Sequence, residues 1–171
     1  MDIRSLIRDV PGFPASGVLF RDITPVLADP AAFAFVLDAL ATDARARGAE
    51  AIVGIESRGF LFGAPLADRL RLPFVPIRKP GKLPAARVSV EYALEYGSGQ
   101  LDIHAGAFPA GGRAYIVDDV LATGGTALAA ARLVEMVGGH VLGFGFVIRI
   151  DGLGGVARLG EYPHFTVVAY P

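Results

Sequence analysis

A chain of 171 residues suits one domain, long enough to bury roughly two-thirds of its unfolded surface without staples. Its formal net charge of −1 gives no basic field for nucleic acid or an anionic membrane, which excludes the simplest partners of both kinds. It has no cysteine, which excludes disulfides, thiolate metal sites and thiol nucleophiles and fits a cytoplasmic protein.

The N-terminus, MDIRSLIRDVPGFPASG, is charged and broken by Pro11 and Pro14, unlike a signal peptide. Residues 10–27, rich in proline and glycine, predict an irregular lobe with a short strand in GVLFRDITPVL. Helical spacing of apolar residues follows from Pro30 to Arg47, then a strand, AIVGI, at 51–55 and a second helix from Gly59 to Leu70. PFVPI at 73–77 reads as another strand. The next segment, RKPGKLP, has no packing pattern and is expected to be mobile. VSVEYALEY and QLDIH flank a Gly-Ser-Gly turn, the pattern of an antiparallel hairpin. AYIVDD at 114–119, VLGFGFVIRI at 141–150 and FTVVAY at 165–170 are strands, with a helix from Thr123 to Val137. The run at 141–150 is too short to span a bilayer. Most strands are continuously apolar, as when both faces of a sheet are covered. The expected fold is α/β: a mostly parallel twisted sheet flanked by helices. One domain over 1–171 would carry a small N-terminal lobe (1–27) and an antiparallel hairpin hood (78–112).

The informative stretch is VDDVLATGGT. Consecutive strand residues point to opposite faces, so Asp118 and Asp119 can serve one ligand only if the strand ends there and the backbone bends. Ligands of open α/β folds bind at the carboxyl ends of parallel strands. LATGGT then supplies small side chains, exposed N–H groups and two hydroxyls ahead of a helix start, where free amides and the dipole favour a phosphate. Thr123 or Thr126 would cap that helix or donate to the phosphate. Two carboxylates beside a phosphate cradle suggest a sugar phosphate, with the acids taking hydroxyls, a metal ion or both. No Gly-Lys-Ser/Thr follows, so this is not a Walker loop, and the GxGxxG dinucleotide fingerprint is missing. An ordinary strand, Asx turn and capped helix is the bland alternative.

VDDVLATGGT resembles the phosphoribosyl pyrophosphate (PRPP) signature of type I phosphoribosyltransferases. PGFPASGVLFRDITPVLADP, GIESRGFLFGAPLA, IRKPGKLP and YALEYG each resemble segments of the adenine phosphoribosyltransferases within that family. The resemblance implies the type I phosphoribosyltransferase fold and transfer of the 5-phosphoribosyl group from PRPP to N9 of adenine, giving AMP and pyrophosphate in purine salvage. It implies that Asp118 and Asp119 hold the ribose hydroxyls and that Ala122, Thr123, Gly124, Gly125 and Thr126 bind the 5′-phosphate. Glu56, Ser57 and Arg58 fall on the pyrophosphate loop, which in the family often carries a strained peptide bond. Arg78, Lys79 and Lys82 match basic residues that act on the pyrophosphate, in part across a homodimer interface. Fourteen of the 16 basic residues are arginine, and Lys79 and Lys82 are the only lysines. YALEYG matches the mobile catalytic loop, making Glu95 the proton donor to N7 of adenine, with Tyr96 over the pyrophosphate side. LFRDI matches the adenine pocket: Leu19 lies on it, Phe20 stacks on the ring, and backbone around Arg21 reads the amino edge. Ile150 matches the opposite wall. Mg2+ is the implied cofactor, carried mainly by PRPP, with no direct protein ligand assigned.

Two features bear on the base. Arg149 departs from the acidic residue expected beside the base wall, and no lysine stands in this region to contact O6 of a 6-oxopurine, which favours adenine. The alternatives are the same chemistry on another base, or a PRPP-sensing regulator, against which the chain has no net positive charge. His104, His140 and His164 are too scattered for a metal site.

Overall fold

The computed structural model describes residues 1–93 and 98–171, which form two compact units, 1–39 and 40–171. In the first, the expected irregular lobe is more regular than its prolines suggest. Strands β1 (Arg8–Pro11) and β2 (Leu19–Asp22) form an antiparallel hairpin followed by helix α1 (Thr24–Ala28). Two opposite-charge pairs stand directly across it, Arg8 with Asp22 and Asp9 with Arg21, and both are ion-paired. Such directly opposed charges favour this register over a slipped one. Asp22 also accepts from the Thr24 hydroxyl and N–H. Those bonds, together with Arg8, hold its carboxyl down at about 2. Helix α2 runs from Pro30 to Ala46.

The second unit holds a five-stranded sheet in the order β4-β3-β7-β8-β9, every neighbouring pair parallel. Its strands are β3 (Ala51–Ile55), β4 (Phe74–Ile77), β7 (Arg113–Leu121), β8 (His140–Ile150) and β9 (His164–Tyr170). β3 is buried along its whole length, as its unbroken apolar sequence requires. Helix α3 (Arg58–Leu70) leads from β3 to β4, and α4 (Gly125–Met136) leads from β7 to β8. A separate hairpin, β5 (Arg87–Ala93) with β6 (Ser98–His104), is the expected hood. Val88, Val90 and Tyr92 form its half-buried face, alternating with exposed residues, and pack onto the main core. Helix α4 touches β7 and β8 on one side and β5 and β6 on the other. Ala127, Ala129, Ala130 and Ala131 are all buried there, so the alanine-rich run keeps the helix thin between two layers. A short helix, α5 (Gly155–Leu159), precedes β9 and was not expected. No helix among the described residues is long and apolar enough to cross a membrane.

The chain places β4 on one side of β3 and returns to place β7 on the other. The crevice between the carboxyl ends of β3 and β7 is therefore the topological switch point, the position where open parallel sheets bind ligands.

Candidate active site at the switch point

Two loops open at that crevice: Glu56–Arg58 after β3, and the acid pair with its glycine loop on β7. One expectation is corrected here. Strand β7 does not stop under the acid pair; it continues to Leu121, with Val120 opposite Ile148 and Leu121 opposite Arg149 on β8. Its pairing with β3 does end earlier, at Gly54–Val117. One edge of β7 is thus unpaired with β3 from Asp118 onward, and this released edge, rather than a broken strand, brings the carboxylates beside the crevice.

The start of α3 occupies the freed edge. Arg58 Nε lies 2.6 Å from Asp119 Oδ2, and Asp118 Oδ1 accepts the Asp119 N–H at 2.9 Å. A Cβ added at Gly59 would stand 2.8 Å from the Val117 carbonyl and 3.0 Å from Asp118 Oδ1, so the helix can approach this closely only with glycine there. The Glu56–Ser57 peptide bond is cis, and Ser57 is exposed. Asp119 is only 4 % exposed. Burial, reinforced by the Asp119 charge, pushes the Asp118 carboxyl well above the usual carboxylate range. Burial also raises Asp119, against the pull of Arg58.

After β7 the loop Ala122–Thr126 leads into α4 without a side-chain cap, correcting the expected role of Thr123 or Thr126 as a cap. Gly124 is the N-cap, with a φ of 79°, a left-handed conformation that glycine adopts freely. The first amides of a 12-residue helix are left facing outward. The Thr126 hydroxyl instead donates to the Tyr92 hydroxyl of β5 at 3.4 Å. Behind the loop lies α5, and a Cβ added at Gly155 would fall 2.2 Å from the Ala122 carbonyl. The two backbones are in direct contact, a support the sequence did not signal.

The basic segment also departs from expectation, being held rather than loose. The Glu56 carboxylate accepts from the Lys79 N–H at 2.9 Å and from Arg78 Nε and Nη2 at 3.2 and 3.3 Å. Arg78 Nη1 donates to the Lys82 carbonyl at 3.1 Å, closing the turn. Burial alone would raise the Glu56 carboxyl; the Lys79 N–H, the Arg78 guanidinium and the Lys82 charge outweigh it and leave it lowered. Lys79 and Lys82 are exposed.

The candidates for the base are differently placed. Leu19, Phe20 and Arg21 lie on β2 in the first unit, where Leu19 is exposed, Phe20 meets Phe13 edge to face at 5.1 Å and the Arg21 side chain is engaged by Asp9. Ile150 ends β8 in the second unit and is half-buried. Arg149 is neutralised by Asp151, with Nε and Oδ1 2.5 Å apart, so an acid is present two residues from where it was expected. Glu95 and Tyr96 lie outside the described residues. Among the described residues no cluster of three metal-ligating side chains exists.

The phosphoribosyl transferase domain family model matches residues 27–158. The chain belongs to the phosphoribosyl transferase domain family.

Within it, the chain is 56 % identical over 163 residues to the adenine phosphoribosyltransferase of Gloeobacter violaceus, covering 95 % of each chain. The adenine phosphoribosyltransferase of Thermoanaerobacter pseudethanolicus superposes with a TM-score of 0.95 at 48 % identity, covering 98 % of both chains. The Saccharomyces cerevisiae enzyme, complexed with adenine and an imino-altritol bisphosphate, superposes with a TM-score of 0.92 at 40 % identity, covering 97 % of this chain and 96 % of that one. These phosphoribosyltransferase relatives span the chain almost end to end, hairpin hood and basic segment included.

Proposed function

We propose that the protein is an adenine phosphoribosyltransferase of purine salvage. Adenine N9 attacks the anomeric carbon of PRPP, pyrophosphate departs, and AMP forms. The observation that carries this is the acid pair on the freed edge of β7, followed at once by an uncapped helix start: hydroxyl acceptors and a phosphate cradle on one continuous backbone.

In this reading Asp118 and Asp119 accept the ribose hydroxyls. Both carboxyls sit where burial disfavours their charge, so donors or a cation from the ligand relieve them. Amides of Ala122, Thr123, Gly124, Gly125 and Thr126 receive the 5′-phosphate. Ser57 and Arg58 meet the pyrophosphate beside the acids, while Glu56 orients Arg78 and Lys79, which with Lys82 supply cations for it. Glu95 protonates adenine N7 and Tyr96 closes over the pyrophosphate. Leu19, Phe20, Arg21 and Ile150 are the proposed adenine contacts. Fixing both reactants contributes up to about 7–11 kcal/mol to lowering the barrier.

The Asp118 and Asp119 carboxylates fit Mg2+ in the manner usual for that ion, one or two carboxylates plus substrate phosphates. When bound, Mg2+ would neutralise part of the pyrophosphate charge. We further propose a cytoplasmic homodimer, which sedimentation would check.

The deciding assay supplies PRPP and Mg2+ with adenine, hypoxanthine or guanine and measures nucleotide release. AMP formed preferentially confirms the assignment; turnover of another base without AMP would overturn it. Glu95→Gln is expected to lower turnover about 10²-fold with little change in PRPP binding.

A further inference from the structure

We propose that Asp102, on the hood strand β6, is a positioning residue that holds the basic segment Arg78–Lys82 in the conformation that receives the pyrophosphate of PRPP. The inference rests on the function proposed above. Asp102 is fully buried, at 0 % exposure, a charged residue between the buried Leu101 and Ile103 of β6. Its backbone and that of Arg78 exchange hydrogen bonds in both directions, at 2.9 and 2.7 Å, forming a bridge outside the named strands. That bridge ties the hood directly to the first residue of the basic segment.

The carboxylate makes a second tie. Oδ1 accepts from Gln100 Nε2 at 2.8 Å, and Oδ2 stands 3.3 Å from Arg87 Nε. The Ser89 hydroxyl and the Gly81 N–H also face it closely enough to favour its charged form, although neither completes a hydrogen bond of good geometry. Burial alone would raise such a carboxyl; these four groups outweigh it, leaving it lowered and charged. Gly81 lies between Lys79 and Lys82, immediately before Lys82, with a φ of 75°. The segment is therefore held from two sides: Glu56 takes the Lys79 N–H from the sheet, and the Asp102 backbone pairs with Arg78 from the hood, its carboxylate lying towards Gly81. A loop of proline, glycine and three cations has no packing reason to hold one shape. The Glu56 carboxylate and the Asp102 bridge supply one, and they leave Lys79 and Lys82 exposed for a polyanion.

The chain offers a direct readout, because Lys79 and Lys82 are its only lysines. Amine acylation followed by mass spectrometry reports on this segment alone, apart from the N-terminus. Asp102→Asn keeps the backbone bridge and the approximate shape but removes the charge. It is expected to raise KM for PRPP about tenfold, with KM for adenine and kcat held within about twofold. Lys79 and Lys82 should acylate faster than in wild type and lose their protection by added PRPP. Asp102→Glu is expected to restore the PRPP KM in part, and Gln100→Ala to shift it in the same direction by less. Equal changes in the two KM values, or unchanged PRPP KM with unchanged acylation, would overturn the proposal; should Asp102→Asn fail to fold, Gln100→Ala decides by the same criteria. If wild type forms no AMP, the functional reading fails, while the acylation comparison without substrate still decides whether Asp102 orders the segment.

Discussion

The crevice at β7 and the basic segment under the hood both use paired acids, and they use them in opposite ways. Asp119 is buried and Asp118 half-buried, among the described residues Arg58 is the cation beside them, and their carboxyls are raised. Glu56 and Asp102 also suffer burial, but backbone N–H groups, Arg78, Arg87, Ser89 and Gln100 surround them, and their carboxyls are lowered. The first pair is short of partners until a ligand arrives. The second pair is surrounded by cations and donors that favour its charge without one, and it lies against the loop. Burial by itself does not mark a binding acid; unsatisfied burial at the end of a parallel strand does.

The largest test of that contrast is the double variant Asp118→Asn, Asp119→Asn. Turnover is expected to fall at least about 10³-fold. Far-ultraviolet circular dichroism should be unchanged, and the melting temperature at neutral pH should rise, because two disfavoured charges are gone. The sign follows from proton linkage: with native carboxyls raised, the folded state binds more protons than the unfolded one above about pH 4, so wild-type stability falls as pH rises. The melting advantage of the variant should therefore shrink as pH is lowered toward about 4. A lower melting temperature at neutral pH would mean that the pair stabilises the fold and would break the comparison.

Gly59→Ala comes next. The new methyl would press on the Val117 carbonyl and Asp118, at a cost of about 1–3 kcal/mol, and should move Arg58 off Asp119. Denaturant melts and PRPP KM would both register it. Glu56→Gln has a smaller expected effect, an increase in PRPP KM of about tenfold with kcat nearly kept. Its pH signature is opposite to that of the first pair. A lowered carboxyl stabilises above its unfolded value and loses this as pH falls through its native value. The stability deficit of Glu56→Gln should therefore be full at neutral pH and fade in acid. Tyr115→Phe is the smallest and serves as a control. It removes the 2.8 Å bond to Asp43 beneath the crevice, costing about 1 kcal/mol in denaturant melts and leaving both KM values unchanged.

Much of this molecule was legible in the chain alone. The five strands of the sheet and the two helices flanking the site showed in apolar runs and spacing, because local burial patterns write themselves into consecutive residues. VDDVLATGGT announced acids beside a phosphate cradle, because a strand, a glycine loop and a helix start are contiguous. Other features needed the folded chain. The pairing of Arg58 with Asp119 joins residues 61 positions apart, and neither residue type signals the other. The segment RKPGKLP looked unconstrained because its restraints, Glu56 and Asp102, lie on other elements. The acid pair was expected where the strand stops. Instead β3 stops pairing first, and no property of β7's own sequence records the length of its neighbour. Sequence determined which groups this protein can bring to a sugar phosphate. Tertiary structure decided which acids remain unsatisfied and which are already partnered, because that balance depends on charges and amides brought together from distant parts of the chain.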